Sequence, residues 1–262
     1  NNEQSTVPTA NCLLPTAYCK WKEFMTLSST PASPQMRRFI IAVDNFVLFI
    51  TKHWLTMAIF FLALFAGLPF LAPVFTHYGF TGLGDFVYKM YGLTCHQLAY
   101  RTYFFFGDKS AYTIAELQNA LSVTNPASDA LYWRDFIGNA QLGYKMAWCE
   151  RDVAIYVAMV ISFVGFGMIR TRVKFLDWRI YLLFVLPMAV DGTWQLFTSP
   201  LDVLPFLPTH ESTPELRAIT GALFGFGSIW LVFPYVEQAM RDAYRDALSQ
   251  LERARAREAQ GI

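Results

Sequence analysis

Four long apolar runs, separated by polar segments, organise this chain: residues 54–75, 152–169, 180–197 and 219–235. A helix that crosses the hydrocarbon core of a bilayer needs roughly 20 mainly apolar residues, and each run is close to that length. Internal prolines such as Pro69 and Pro187 are compatible with this, because membrane helices tolerate Gly and Pro better than soluble ones. The pattern predicts an all-α integral membrane protein with about four transmembrane helices. Two further stretches are apolar but mixed. Residues 37–52 carry a stripe of Phe39, Ile40, Val43, Phe46, Val47 and Ile50 and read as an interfacial helix leading into the first span. Residues 84–106 include Asp85, Lys89, His96 and Arg101, so they are expected to lie in the interface or re-enter from it rather than cross.

The polar segments complete the organisation. Residues 1–36 form a Ser-, Thr- and Pro-rich tail without the apolar core of a signal peptide. Residues 37–236 form the membrane domain, interrupted by an insertion at 107–145. Within the insertion, 111–121 has helical spacing and is broken by Thr124-Asn125-Pro126. A second helical pattern over 128–140 begins at a capping Ser128. Residues 237–262 read as an amphipathic helix with Ala243, Ala247, Leu248 and Leu251 on one face and a solvated charged face opposite.

Composition agrees with the pattern: 54% of residues are hydrophobic, 16% are charged and the mean hydropathy is +0.29, against about 25% charged in soluble domains. A net charge of +1 gives no electrostatic case for a nucleic-acid partner. The placement of charge says more. Arg37, Arg38 and Lys52 precede the first span, Arg170, Arg172, Lys174 and Arg179 separate the second from the third, and Arg241, Arg245, Arg253, Arg255 and Arg257 follow the fourth. Basic residues concentrate on the cytoplasmic side. Four spans put all of these flanks there, with both termini cytoplasmic in the cell membrane and 76–151 and 198–218 outside.

Ionisable groups in or beside a membrane segment are costly, and each raises a functional hypothesis. Asp191 sits well inside the third span, with Gln195 one turn outward on the same face, Pro187 one turn inward and Gly192 permitting close helix approach. Cys149-Glu150-Arg151-Asp152 opens the second span, and Cys149 and Asp152, three apart, share a face. Thr94-Cys95-His96-Gln97 with Arg101 lies in the first outer segment, and Arg217, Thr220 and Gly221 lie at the outer end of the fourth span. The topology brings all four clusters to one depth, on the outer side. Three chemistries fit: a zinc or copper site, a thiol pair of Cys95 and Cys149 on the oxidising side, and a buried ion-pair network of Asp191 or Asp152 with Arg101, Arg151 or Arg217. Inert thiols, a structural disulfide and a simple helix–helix contact at Asp191 are the plainer readings of the same residues. Cys12 and Cys19, in the polar tail, are assigned no site.

These residues resemble a bacterial and archaeal family of predicted multi-span membrane proteins known as a domain of unknown function. The matching elements, over about 90–230, are Cys95-His96-Gln97 with Arg101-Thr102, Cys149-Glu150-Arg151 with Tyr156, Pro187…Asp191-Gly192…Gln195, and Arg217…Gly221 with Gly225. Asp152 stands where the family pattern has a second Cys, and the 107–145 insertion lengthens the gap between the first two elements. The resemblance implies that these residues form the family's site; it implies no reaction.

The sequence thus points to a membrane protein with an outward-facing site. Cys95, His96, Cys149 and Asp152 are the candidate metal ligands. Gln97, Arg101, Arg151, Asp191, Gln195 and Arg217 surround them, as an inner wall or as holders of carboxylates or an anionic ligand. The bilayer is the expected partner. The rival reading is a non-catalytic subunit of a larger membrane complex, with the insertion and tail as docking surfaces. Ion transport past Asp191 ranks last, since four spans without internal repeats make a poor stand-alone transporter.

Overall fold

The computed structural model describes residues 34–124, 129–198 and 211–259. Its long elements are α1 (Pro34–His77), α5 (Glu150–Ile169), α6 (Trp178–Thr198) and α7 (Pro214–Ala259). Between α1 and α5 lie α2 (Thr81–Tyr91), a 3-10 turn (Ala99–Arg101), β1 (Phe104–Phe105), α3 (Ile114–Leu121), α4 (Ala130–Asp135), β2 (Gly138–Asn139) and β3 (Gly143–Lys145). Of the described residues, 34–48 and 246–259 belong to one compact unit, in which Asp44, Ala247 and Leu251 are buried. Phe49–Arg245 forms the second, which holds every cluster discussed below.

The protein is all-α with a very small sheet, and it is a membrane protein. Among the described residues, three helical stretches are long and apolar enough to cross a bilayer: Arg38–His77, Glu150–Ile169 and Pro214–Ala256. The remaining expected span, 180–197, forms α6. Its geometry explains how it coexists with them. Asp191 and Gln195 are buried, while Leu182, Leu183, Leu186, Val190 and Trp194 are exposed. Polar groups turned inward leave an apolar outer face.

In the second unit α1 packs antiparallel to α5, and α7 runs parallel to α5. Trp54 of α1 packs on Phe163 of α5, and Phe65 on Tyr156. Phe163 and Phe166 meet Phe233 and Trp230 of α7. Tyr181 Oη lies 3.2 Å from Ser228 Oγ, joining α6 to α7. Close approach of α7 to α5 depends on Gly221 and Gly225, where a Cβ would stand 2.7 Å from the Arg151 carbonyl oxygen and 2.3 Å from that of Ile155.

Several boundaries differ from the sequence expectation. Residues 37–52 are not a separate interfacial helix; α1 is continuous from Pro34 to His77, since nothing in 37–52 interrupts helical backbone bonding. The tail helix is likewise continuous with the last span, in α7. Residues 34–36 of the expected tail already belong to α1, whereas 1–33, with Cys12 and Cys19, lie outside the described residues. Ser128, Asn125 and Pro126 lie outside them too. Asp129 caps α4 by accepting from Tyr132 N, and α3 ends at a left-handed Ser122. Residues 84–106 form no helix of spanning length: α2 has 11 residues, stops at Tyr91, and the chain turns.

The insertion contains a sheet that periodicity did not signal. β3 pairs antiparallel with β1 (Phe104↔Lys145) and with β2 (Gly138↔Tyr144). Gly143 has φ +81°, and a Cβ there would meet the Phe105 carbonyl oxygen at 2.3 Å, so only glycine suits the turn. A capping box between Thr113 and Glu116 starts α3. Tyr100, Phe104, Tyr112, Leu117, Trp133 and Leu142 form the insertion's own core.

Candidate metal and ion-pair site

The cysteine segments are placed by two prolines. A proline inside a helix leaves the carbonyl four residues earlier without its intrahelical partner. Pro69 frees the Phe65 carbonyl, which accepts from Tyr91 Oη at 2.7 Å, at the end of α2. Pro73 frees the Pro69 carbonyl, which accepts from Ala147 N at 3.4 Å, two residues before Cys149. Gln97, with φ +53°, ties the same two segments together: its Nε2 donates to the Tyr88 carbonyl at 2.9 Å and the Ala147 carbonyl at 2.8 Å. Lys145 is fully buried and donates from Nζ to the carbonyls of Gln97 (2.7 Å), Trp133 (3.4 Å) and Arg134. Burial pushes its pKa down to about 7, opposed by the nearby Asp135 charge.

The result is a cavity of about 390 Å³ lined by Thr94, Cys95, His96, Gln97, Arg101, Cys149, Arg151, Asp152, Gly192, Gln195 and Arg217, among others. One ligand atom from each of Cys95, Cys149 and Asp152 lies within 4.8 Å of the others. Both cysteines are free thiols. Cys149 N donates to Cys95 Sγ at 3.2 Å, and Cys149 Sγ donates to Asp152 Oδ2 at 3.1 Å. Contact with Cys95, burial, and the charges of Cys95 and Asp152 push the Cys149 thiol well above its ordinary range. His96 is exposed on the cavity rim and is not part of this three-atom group.

The remaining wall is a network of charges. Arg151 pairs with Asp191, which also accepts from Ser212 Oγ at 2.9 Å. Gly192 leaves room for this guanidinium, since a Cβ there would stand 3.1 Å from Arg151 Nη1. Arg217 pairs with Glu150 at 2.8 Å and with Glu211. Glu211 also takes both donors of Arg101 at 2.9 Å and Gln195 Nε2 at 2.9 Å. Three arginines therefore meet three carboxylates, Glu150, Asp191 and Glu211. Asp152 is left facing the thiols. The Nε atoms of Arg151 and Arg217 are buried without hydrogen-bond partners.

All ten residues singled out in the sequence line this cavity or, as Asp191 does, bond to a residue that lines it. Glu211, Ser212 and Lys145 were missed, and Glu150 was noted within its cluster without a role. Glu150 and Arg217 carried a signal, being charges at the ends of apolar runs on helices that pack together. Glu211 and Ser212 carried none, because a loop's contacts leave no periodic trace.

Comparison with known proteins gives the same broad picture. The chain is 29% identical, over 193 residues, to an uncharacterized protein of Methanocaldococcus jannaschii, an alignment covering 70% of this chain and 92% of the relative. No solved structure matches. The family match covers residues 140–231 and so includes Cys149, Asp152, Asp191, Gln195 and Arg217 but not Cys95 or His96. Over residues 140–231 the chain is similar to the family described as predicted membrane protein (DUF2085).

Proposed function

We propose that this membrane protein binds a thiophilic transition-metal ion through Cys95, Cys149 and Asp152. The observation that carries the reading is the convergence of these three ligand atoms within 4.8 Å at one cavity wall. A tetrahedral ion with metal–sulfur bonds of about 2.3 Å sets its ligands roughly 3.5–3.8 Å apart, so adjustments of at most about 1 Å form the site. The crowding of Cys95 and Asp152 that raises the Cys149 thiol is crowding of negative charge once the thiols ionise, and a cation relieves it. The neighbouring arginines are already balanced by Glu150, Asp191 and Glu211, so they oppose a cation only weakly. Three protein ligands leave a fourth position open to the cavity, the arrangement of exchangeable rather than purely structural sites. His96 on the rim is the protein's candidate for that position.

The basic residues of 170–179 and 241–257 support placing the far ends of α5 and α7 in the cytoplasm. The cavity, at the other ends of those helices, then faces outward from the cell membrane.

Protein purified in mild detergent and exposed to Zn²⁺ is expected to retain about one equivalent after exhaustive exchange into metal-free buffer, measured by elemental analysis. Cys149→Ala and Asp152→Asn should each lose it while keeping wild-type helicity. Retention of no metal by folded wild-type protein, or a Cys95–Cys149 disulfide in freshly isolated protein, contradicts the proposal.

A further inference from the structure

The opposite ends of the same helices carry a second polar constellation. α5 runs for 20 residues, about 30 Å, so its C-terminus lies one hydrocarbon thickness from Cys149. Two adjoining cavities of about 280 and 360 Å³ share Arg170, Glu237, Arg241 and Arg245 there. Lys52 and Trp54 line the larger, and Phe175 edges the smaller. Glu237 is only 6% exposed and forms a fixed floor, accepting from Arg241 Nε at 2.6 Å and from Arg170 Nη1 at 3.5 Å. Asp242 approaches Arg245 at 3.7 Å, but both side chains are mostly exposed and the pair is weak. Four cations thus face two carboxylates, leaving an excess of positive charge around both cavities.

We propose that this constellation binds the phosphate of an anionic phospholipid headgroup. Charge complementarity selects an anion, and the surroundings select a lipid over a soluble one. Trp54 packs beneath the larger cavity against Phe163 and Phe233. Phe175, half exposed, packs at a tilt against exposed Tyr235, ring centroids 4.5 Å apart, beside the smaller. A cationic pocket rimmed by aromatic rings at the end of apolar helices is the environment a headgroup and its upper acyl chain meet together. Lys52 and Arg245 are not bonded to Glu237, so they are the cations most available to the phosphate.

The full chain in detergent, titrated with dioleoyl phosphatidylglycerol or dioleoyl phosphatidylcholine and read by native mass spectrometry, tests this. Wild type is expected to hold the anionic lipid on the order of tenfold more tightly, since each basic side chain contributes about 1 kcal/mol. The Lys52→Gln/Arg245→Gln double variant should lose most of that preference and leave phosphatidylcholine binding unchanged. Should the pair of changes perturb folding, Arg245→Gln alone, at an exposed position, serves and should lose part of it. Equal retention of the two lipids overturns the proposal, as does a folded variant with undiminished preference. Displacement of the anionic lipid by micromolar inorganic phosphate also overturns it, by identifying a soluble-anion site.

Discussion

Arg217→Met is expected to destabilise the protein by about 3–5 kcal/mol, the largest effect of any substitution in the charge network. Glu150 is 1% exposed and Arg217 is 3% exposed, and they meet at 2.8 Å between α5 and α7. Methionine matches the arginine stem in shape but leaves the Glu150 carboxylate buried without its counterion. It also removes one of the cations that bind Glu211. An uncompensated buried charge costs far more than an intact pair contributes, so the double variant Glu150→Gln/Arg217→Met should recover much of the loss. Titration of detergent-solubilised protein with sodium dodecyl sulfate, followed by helical circular dichroism, reads both. A loss below about 0.5 kcal/mol, the scale of ordinary surface substitutions, would show that the pair is not buried as described.

Lys145→Met should cost about 3 kcal/mol and act directly on the candidate metal site. The Lys145 ammonium has three donors and meets three carbonyls, those of Gln97, Trp133 and Arg134. Removing it leaves these acceptors unsatisfied in a region where Lys145, Trp133 and Gln97 are all buried. Gln97 in turn joins the end of α2 to the residue two before Cys149, so the loop bearing Cys95 loses an anchor. Cys95 is 6% exposed in the intact protein. Its alkylation by a small maleimide should accelerate on the order of a hundredfold if local opening becomes easier by that energy. An unchanged alkylation rate together with an unchanged melting temperature would contradict the anchoring role.

The membrane character and the grouping of the polar residues were legible in the sequence for a plain physical reason. Apolar runs of helical length report burial in lipid directly, and a charge within one stands out against them. Asp191 and Gln195 illustrate both the power and the limit of that signal. Their spacing of four placed them on one face, and they are buried together. Their loop partners, Ser212 on Asp191 and Glu211 on Gln195, left no such trace. The continuity of 37–52 with the span was not legible, because an amphipathic stripe fits equally well a helix on the membrane surface and one continuous with a span.

The sheet in the insertion was invisible because its strands are two or three residues long, too short for alternation to register. The roles of Gln97 and Lys145 were illegible for another reason: both act by bonding backbone carbonyls, which any sequence supplies everywhere. Pro69 read only as a tolerated helix proline, and Pro73 carried no reading of its own. Their consequence, two free carbonyls that receive Tyr91 and Ala147, emerges when α2 and the segment before α5 are seen against α1.

The most direct test of the metal site is X-ray absorption spectroscopy on the zinc-loaded protein. The expected first shell holds two sulfurs at about 2.3 Å and one or two oxygen or nitrogen atoms at about 2.0–2.1 Å. Cys149→Ala should remove one sulfur or abolish binding. A first shell of oxygen and nitrogen alone, or one identical in wild type and Cys149→Ala, would contradict a site built on Cys95, Cys149 and Asp152.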